Sequence, residues 1–282
     1  MTKSREGWQG WDEYAPFYDW ENARTLGRRD VPFWRRLAAD APGPVLELGC
    51  GTGRLSLPLA RSGVTLVGVD RSERMLARAI ARARTLRTSG SLRTSGTPRT
   101  PGTPGTSGTL GTSRSLLFVR ADIRALPFKR RRFAMVLAPY GVLQSLVRER
   151  DLLTALDSVA AVIRPGGTFG IDLVPDVPNW REYTDKVQLK GRARGGSHLT
   201  LIESVDQDPS RRLTTFKQRF IERRQGRTRE HRFDLTFRTL TVPQMTRRLE
   251  RAGFRVNRVV GDYQGRPWDE QANVWIILAE KV

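Results

Sequence analysis

One cysteine, Cys50, and two histidines, His198 and His231, are all that the chain holds of those two residue types in 282 positions. A lone cysteine excludes an internal disulfide and leaves the compartment undetermined, an intracellular one being the default. Because Cys50 lies inside a glycine loop, it reads as a small residue that fits there, not as a nucleophile. No apolar run approaches the roughly 18 residues that cross a bilayer, and residues 1–7 lead into no apolar signal core. The expectation is a soluble, cytoplasmic protein with no metal site and no membrane partner. Two nucleotide-binding signatures are also missing. No Gly-Lys-Ser/Thr follows the glycine-rich stretch, which excludes a phosphate-gripping P-loop, and the glycines do not follow G-x-G-x-x-G, Arg54 coming straight after Gly53. Acids are scarce, 29 against 49 Lys and Arg, for a formal charge of +20. Such a balance suits a partner bearing phosphates or carboxylates. Arginine is nevertheless scattered from end to end, as a compositional bias would produce, so nucleic acid is allowed by the charge and not favoured by it.

What is present is organised around Val45-Leu46-Glu47-Leu48-Gly49-Cys50-Gly51-Thr52-Gly53. A short apolar run fits a buried strand, and three alternate glycines permit a tight turn where backbone approaches a ligand with no Cβ in the way. Helix formers follow, so the turn opens into a helix whose first N–H groups point back at the ligand. Twenty-one positions past Gly49, the β-branched run 64–69 ends in Asp70, close to the spacing that sets a carboxylate at the tip of the second strand, within reach of two ribose hydroxyls. Asp70 can equally cap the helix that follows it.

The string VLELGCGTGRLSLPLA resembles the first motif of the class I S-adenosylmethionine-dependent methyltransferases, and later segments resemble that family in order. The Asp122 segment, with an apolar-Pro-Phe after it, resembles the adenine site; IRPGG before a strand, RRLERAGF, GDYQG and the closing NVWIILAEK resemble later phrases. The resemblance implies an α/β, Rossmann-like, seven-stranded, mostly parallel sheet with helices on both faces and S-adenosyl-L-methionine as cofactor. It implies a cofactor site of Glu47, Gly49, Cys50, Gly51, Gly53, Asp70, Arg71, Met75, Ala121, Asp122, Ile123, Ala138 and Tyr18. In it Glu47 orients the charged methionyl end, Asp70 takes the ribose and Asp122 the exocyclic amine. Taken alone, Asp122 would be a turn-capping residue.

Around that core the chain divides into an aromatic N-terminal lid segment, 1–43, a cofactor-binding core, 44–178, an inserted antiparallel sheet, 179–240, and a return to the core, 241–282. Six aromatic residues fall within positions 8–20, and Pro16 predicts a helix starting near Phe17. Tyr14 and Tyr18 either fold over the cofactor or cover an apolar face. Residues 85–115 are a different polymer: Ser, Thr, Gly and Pro fill 24 of 31 positions, with no acid and no aromatic. This composition predicts a disordered insertion. Period-two patterning at 199–205, 213–221 and 231–240 predicts antiparallel strands, the last two joined across Gln225-Gly226. In the resembled family such an insertion roofs the acceptor pocket. Ala138-Pro139-Tyr140-Gly141 follows the fourth strand, and Ala138 lacks the side-chain acceptor that amino-group nucleic-acid methyltransferases place there.

The implied reaction is in-line methyl transfer to a small-molecule acceptor. The alternatives are an RNA or protein methyltransferase using the basic surface and a non-catalytic cofactor-binding partner subunit. Tyr14, Tyr140, His198 and His231 are the candidate general bases, none of them assigned, and the oligomeric state is left open.

Overall fold

The structure, a computed structural model, describes residues 10–25, 29–88, 109–113, 116–173, 182–272 and 274–282. Its centre is β1 (Val45–Leu48), buried at every position, as expected of a parallel strand covered on both faces. It pairs in parallel with β2 (Leu66–Asp70) on one side and β5 (Phe133–Ala138) on the other. Beyond β2 lies β4 (Leu116–Arg120); beyond β5 lie β6 (Ile163–Leu173), β12 (Trp275–Lys281) and β11 (Phe254–Val260). β12 runs antiparallel to both neighbours. The order β11-β12-β6-β5-β1-β2-β4 is the expected seven-stranded sheet, and chain order reverses at β1, where open α/β sheets place their ligands.

Helices cover both faces. α2 (Val31–Ala39), α3 (Ser56–Arg61) and α4 (Glu73–Thr88) pack on one side around the fully buried Trp34, and α5 (Glu149–Val162) and α6 (Val242–Arg251) pack on the other. The last of these starts with a capping box, Thr241 and Gln244 each satisfying the other's backbone N–H. No helix among the described residues is long and apolar enough to cross a membrane.

Besides one further strand in the inserted sheet, three features differ from the sequence reading. An eighth strand, β3 (Thr109–Ser113), pairs antiparallel with β4 at the sheet edge, and α4 runs on to Thr88. Both lie inside the stretch expected to be wholly disordered; an edge strand needs only backbone partners, which a Ser/Thr/Gly sequence still supplies. Residues 89–108 and 114–115, the rest of that stretch, lie outside the described residues. β6 begins at Ile163, so Arg164-Pro165-Gly166-Gly167 form a bulge inside the strand instead of a stop before it, with Gly166 at φ 70°. Finally, α1 (Trp11–Asn22) starts six residues early and carries Pro16 in its interior, a placement that costs about 3 kcal/mol.

Packing offsets that cost. α1 lies on a second sheet of order β10-β9-β8-β7, formed by β7 (Tyr183–Arg192), β8 (His198–Asp208), β9 (Leu213–Arg224) and β10 (Arg227–Arg238), antiparallel throughout. β7 escaped the sequence pattern because its side chains are largely polar and exposed. Gln225 and Gly226, at φ 48° and 75°, make the tight turn between β9 and β10. Tyr14, Phe17 and Trp20 interleave with Phe220 and Phe233, Phe17 and Phe220 having centroids 4.6 Å apart. Gln218 donates to Glu21 of α1 and Glu203 of β8, and the Trp20 indole donates to the Arg192 carbonyl at 3.0 Å. The N-terminal helix and the inserted sheet therefore form one unit above the core. Phe220→Ala should destabilise the fold by about 3–5 kcal/mol and raise amide exchange in α1 more than in α5, which denaturant titration and hydrogen exchange would measure.

Candidate functional site

Past β1 the backbone turns through Gly49, Gly51 and Gly53 at φ 59°, 53° and 76°, a region L side chains rarely occupy. At Gly49 a Cβ would fall 2.3 Å from Val142 Cγ2, so the loop and the 3₁₀ turn Val142–Ser145 approach more closely than any side chain permits. At Gly51 the nearest atom to an added Cβ is the Gly49 carbonyl oxygen, 3.9 Å away, and bare backbone faces open space. Asp70, at the tip of β2, accepts the Gly51 N–H on one oxygen and the Ser72 N–H on the other, both at 2.8 Å. Burial pushes its carboxyl up to about 6, against the pull of those backbone bonds. Glu47 is buried one strand over and accepts the Ser56 hydroxyl; burial pushes it up to about 8.

These groups border a cavity of about 810 Å³ at the carboxyl ends of the strands. Of the thirteen residues expected at a cofactor site, Glu47, Gly49, Cys50, Gly51, Asp70, Arg71, Met75, Ala121, Asp122, Ile123 and Tyr18 line it together. Gly53 does not; it packs against Leu57 and Ala79, where the loop meets α3 and α4. Ala138 is fully buried and also stays off the wall, since the chain turns toward the cavity one residue later, at Pro139. Carboxylates at the tips of β2 and beyond β4, bare backbone between, and apolar side chains from Met75 and Ile123 suit an adenosine that is hydrogen-bonded at its rim and packed on its face.

Asp122 is more heavily engaged than its expected role requires. Arg124 contacts both of its oxygens, Nη2 at 2.8 Å and Nε at 3.1 and 3.2 Å, and Arg71 adds a contact at 3.0 Å. Burial works against ionisation here, but the side-chain and backbone hydrogen bonds from Arg124 hold the carboxyl below its ordinary range. Arg124 was absent from the sequence reading, although its place two residues after Asp122 is the i, i+2 spacing at which a side chain returns to its own loop.

The larger omission is Arg54. Its guanidinium makes two bonds to the fully buried Asp30, at 2.5 and 2.7 Å, and stacks 5.3 Å from the Tyr140 ring centroid. Tyr18 is hydrogen-bonded to it as well. One buried cation thus joins the glycine loop, α1, the start of α2 and the turn after β5. That turn is itself unusual: Tyr140 stands at φ 61° and Gly141 at 64°, with the Gly141 N–H donating at 2.9 Å to Asp172. Asp172 is buried, accepts the Tyr263 hydroxyl at 2.8 Å, and is pushed up to about 6 by its burial. An aromatic residue in the left-handed region is a conformation that surrounding structure must impose.

Of the four candidate bases, Tyr140 alone borders the cavity. Tyr14 is buried among Trp11, Tyr18, Phe220 and Phe233, which decides between its two readings in favour of packing. His198 is exposed on β8, and His231 faces Phe17 and Glu222 on the far side of α1. No cluster of three or more metal-ligating side chains exists among the described residues.

With this geometry in place, comparisons with known proteins agree in direction. The family model described as "Methyltransferase domain" matches residues 46–171. The demethylmenaquinone methyltransferase of Paenarthrobacter aurescens is 30% identical over 216 residues, which cover 70% of this chain and 72% of that protein. Uncharacterized proteins of Mycobacterium tuberculosis and Mycobacterium bovis are 29% identical over 138 residues, 48% of this chain and 39% of theirs, so the chain spans well under half the length of those curated relatives. Among solved structures, the sugar N-methyltransferase KedS8 from Streptoalloteichus shares the fold with a TM-score of 0.69 at 14% identity, over 94% of this chain and 92% of that one.

Glu47 yields a test of the site's electrostatics. Its carboxyl is raised from 4.5 to about 8 in the folded state, so the folded chain holds the proton more tightly. The stability this contributes is complete below the unfolded value and lost as pH rises through the folded one. Glu47→Gln keeps the shape and cannot ionise; its melting temperature relative to the unmodified chain should climb steadily from pH 5 to pH 8, read by thermal melts across that range. A flat difference would show that Glu47 is ionised in the fold.

Proposed function

The chain belongs to the class I S-adenosylmethionine-dependent methyltransferases, and we propose that it transfers the methyl group of that cofactor to a small-molecule acceptor bound beneath α1 and the second sheet. The observation that carries this reading is the size of the cavity together with the side chains of α1 and β10 that border it. Its volume of about 810 Å³ falls within the roughly 300–1,000 Å³ of small-ligand sites, and Tyr18 of α1 with Phe233 and Phe237 of β10 are part of its lining. Among the similar proteins, a sugar N-methyltransferase and a demethylmenaquinone methyltransferase are matched over most of the chain and support the same class, whereas a 23S rRNA methyltransferase is matched over 62 residues only, 22% of the chain.

Within the proposal each side chain has a task. Asp70 accepts the ribose hydroxyls with the lone pairs left over from Gly51 and Ser72. Asp122 takes the exocyclic amine when the more exposed of its two arginines, Arg71, gives way. Cys50, Met75, Ala121 and Ile123 flank the purine, and the bare backbone at Gly49 and Gly51 lies under the methionyl part. Glu47, largely protonated at neutral pH, contributes a hydrogen bond beneath the loop and no negative charge. When bound, the cofactor supplies an electrophilic methyl on a sulfonium. Tyr18, Tyr140 and Arg54 then hold the acceptor in line with it and keep water out, and positioning alone can supply about 7–11 kcal/mol.

Asp70→Ala should remove the rise in melting temperature given by S-adenosylmethionine, and NAD should give none with either form. By titration calorimetry the variant should lose at least about 10- to 100-fold in affinity for S-adenosylhomocysteine, the effect of one charge-assisted bond worth about 1.5–3 kcal/mol, and more where both ribose hydroxyls lose their acceptor. Because the ionised carboxylate is the stronger acceptor and burial raises its carboxyl to about 6, affinity should also fall as pH drops below that value. Full affinity in Asp70→Ala would remove the ribose assignment. Incubating metabolite extracts with labelled cofactor and scoring mass gains of one methyl group would identify the acceptor.

A further inference from the structure

On the far side of α1 from the cofactor cavity lies a second concavity of about 1310 Å³, and eight of its 21 lining residues are arginine, against 49 basic residues in 282 for the whole chain. Arg74, Arg78 and Arg82 recur every four positions and so form one stripe on α4. Arg192, at the end of β7, and Arg194, in the turn after it, line the same groove. Three acids share the lining. Of these, Asp19 is already spent on Arg78 and Arg82, at 3.3 and 2.9 Å, and on the Thr52 hydroxyl at 2.6 Å. Arg74, Arg192 and Arg194 make no side-chain hydrogen bond or ion pair among the described residues. On the same wall the Nε2 atom of His231 lies 3.6 Å from the Glu222 carboxylate.

We propose that this groove binds the phosphoryl part of the acceptor, so that the chain methylates a phosphorylated small molecule whose nucleophilic atom reaches the cofactor cavity while its anionic tail lies among the arginines. The proposal rests on the methyltransferase reading and names its substrate class. Three observations carry it. Guanidinium groups match phosphate oxygens in paired bonds, and the groove offers guanidinium without a single lysine. A concave wall of one sign concentrates the field in a way that the same arginines on a convex surface would not. Moreover, the two concavities are adjacent: Glu13, Arg54, Arg232 and Phe233 line both, so one elongated ligand can occupy the two together. The unpaired arginines are few and close together, Arg74 on α4 with Arg192 and Arg194 at and just beyond the end of β7, a set that matches one or two phosphates and not an extended track along an RNA backbone.

The test uses the whole chain and inorganic pyrophosphate as probe, with S-adenosylhomocysteine titrated in parallel. Pyrophosphate should bind with Kd below about 1 mM at about 0.15 M salt. The pair Arg192→Gln and Arg194→Gln should weaken it about tenfold or more, leaving S-adenosylhomocysteine affinity and melting temperature unchanged. A control pair, Arg227→Gln and Arg229→Gln, alters two equally exposed arginines of the β9–β10 hairpin that line neither concavity, and it should change nothing. No pyrophosphate binding, or equal weakening by both pairs, overturns the proposal in favour of diffuse surface charge. A single-stranded RNA that binds far more tightly, is lost with the Arg192 and Arg194 pair and is not displaced by pyrophosphate overturns it in favour of RNA. Failure of the unmodified chain to bind S-adenosylhomocysteine strikes the methyltransferase reading itself, and with it the acceptor assignment, and is read independently of the pyrophosphate arm.

Discussion

The site depends on one pair of hydrogen bonds, those from Gly51 and Ser72 to the two oxygens of Asp70. Three glycines in the left-handed region give the loop after β1 its shape, but glycine also gives a loop the most conformational freedom to lose. The Asp70 carboxylate removes that freedom from outside the loop, tying it to the tip of the neighbouring strand. A residue expected to meet a ribose therefore also builds the surface the ribose would rest on. The cost is visible in its titration: burial pushes Asp70 up to about 6, and only the backbone bonds restrain it from rising further.

Arg54 extends the same logic to the lid. A guanidinium with so little exposure is tolerable only when paired, and removing one partner of a buried pair costs about 3–5 kcal/mol. Asp30 meets that need with two short bonds. The remaining faces of Arg54 meet Tyr18 and Tyr140, the two tyrosines that border the cavity from above and from the β5 side. The loop, the lid and the turn after β5 are thus coupled through a single ion. Asp172 completes the coupling by accepting the Gly141 N–H, which fixes Tyr140 in a backbone conformation that its side chain disfavours.

Much of this was legible in the sequence because the relevant signals are local. The glycine loop, the acid at the end of β2, the capping box of α6 and the Gln225-Gly226 hairpin each depend on residues within a few positions of one another. What escaped is of a different kind. Arg54 and Asp30 are 24 positions apart, and an arginine after a glycine loop carries no mark of the acid it will meet. Pro16 pointed to a later helix start, and the aromatic face packed on Phe220 and Phe233 overrode it. β7 and β3 are edge strands held by backbone pairing, and the side chains of β7 are largely polar and exposed. Gly53 and Ala138 belong to the right motifs, yet one faces α3 and α4 and the other the core. Side-chain direction at a strand end, unlike motif membership, is set in three dimensions.

The distribution of charge gives the fold its logic. In a chain of net charge +20, the few acids are not spread evenly over the surface. Asp30, Glu47 and Asp172 are buried, and Asp70 half-buried, around the carboxyl ends of β1, β2 and β6, while the arginines of α4 and β7 gather across α1. The cavity sets five acids against five arginines and the groove three acids against eight arginines, so a ligand carrying a sulfonium and an ammonium is favoured in the first relative to the second. An anionic acceptor is sorted in the opposite sense. Two ligands of opposite charge would therefore be drawn to opposite sides of one helix, and α1, held to the second sheet by its aromatic face and to the loop by Arg54, keeps those two fields apart while leaving their common edge open at Glu13, Arg232 and Phe233.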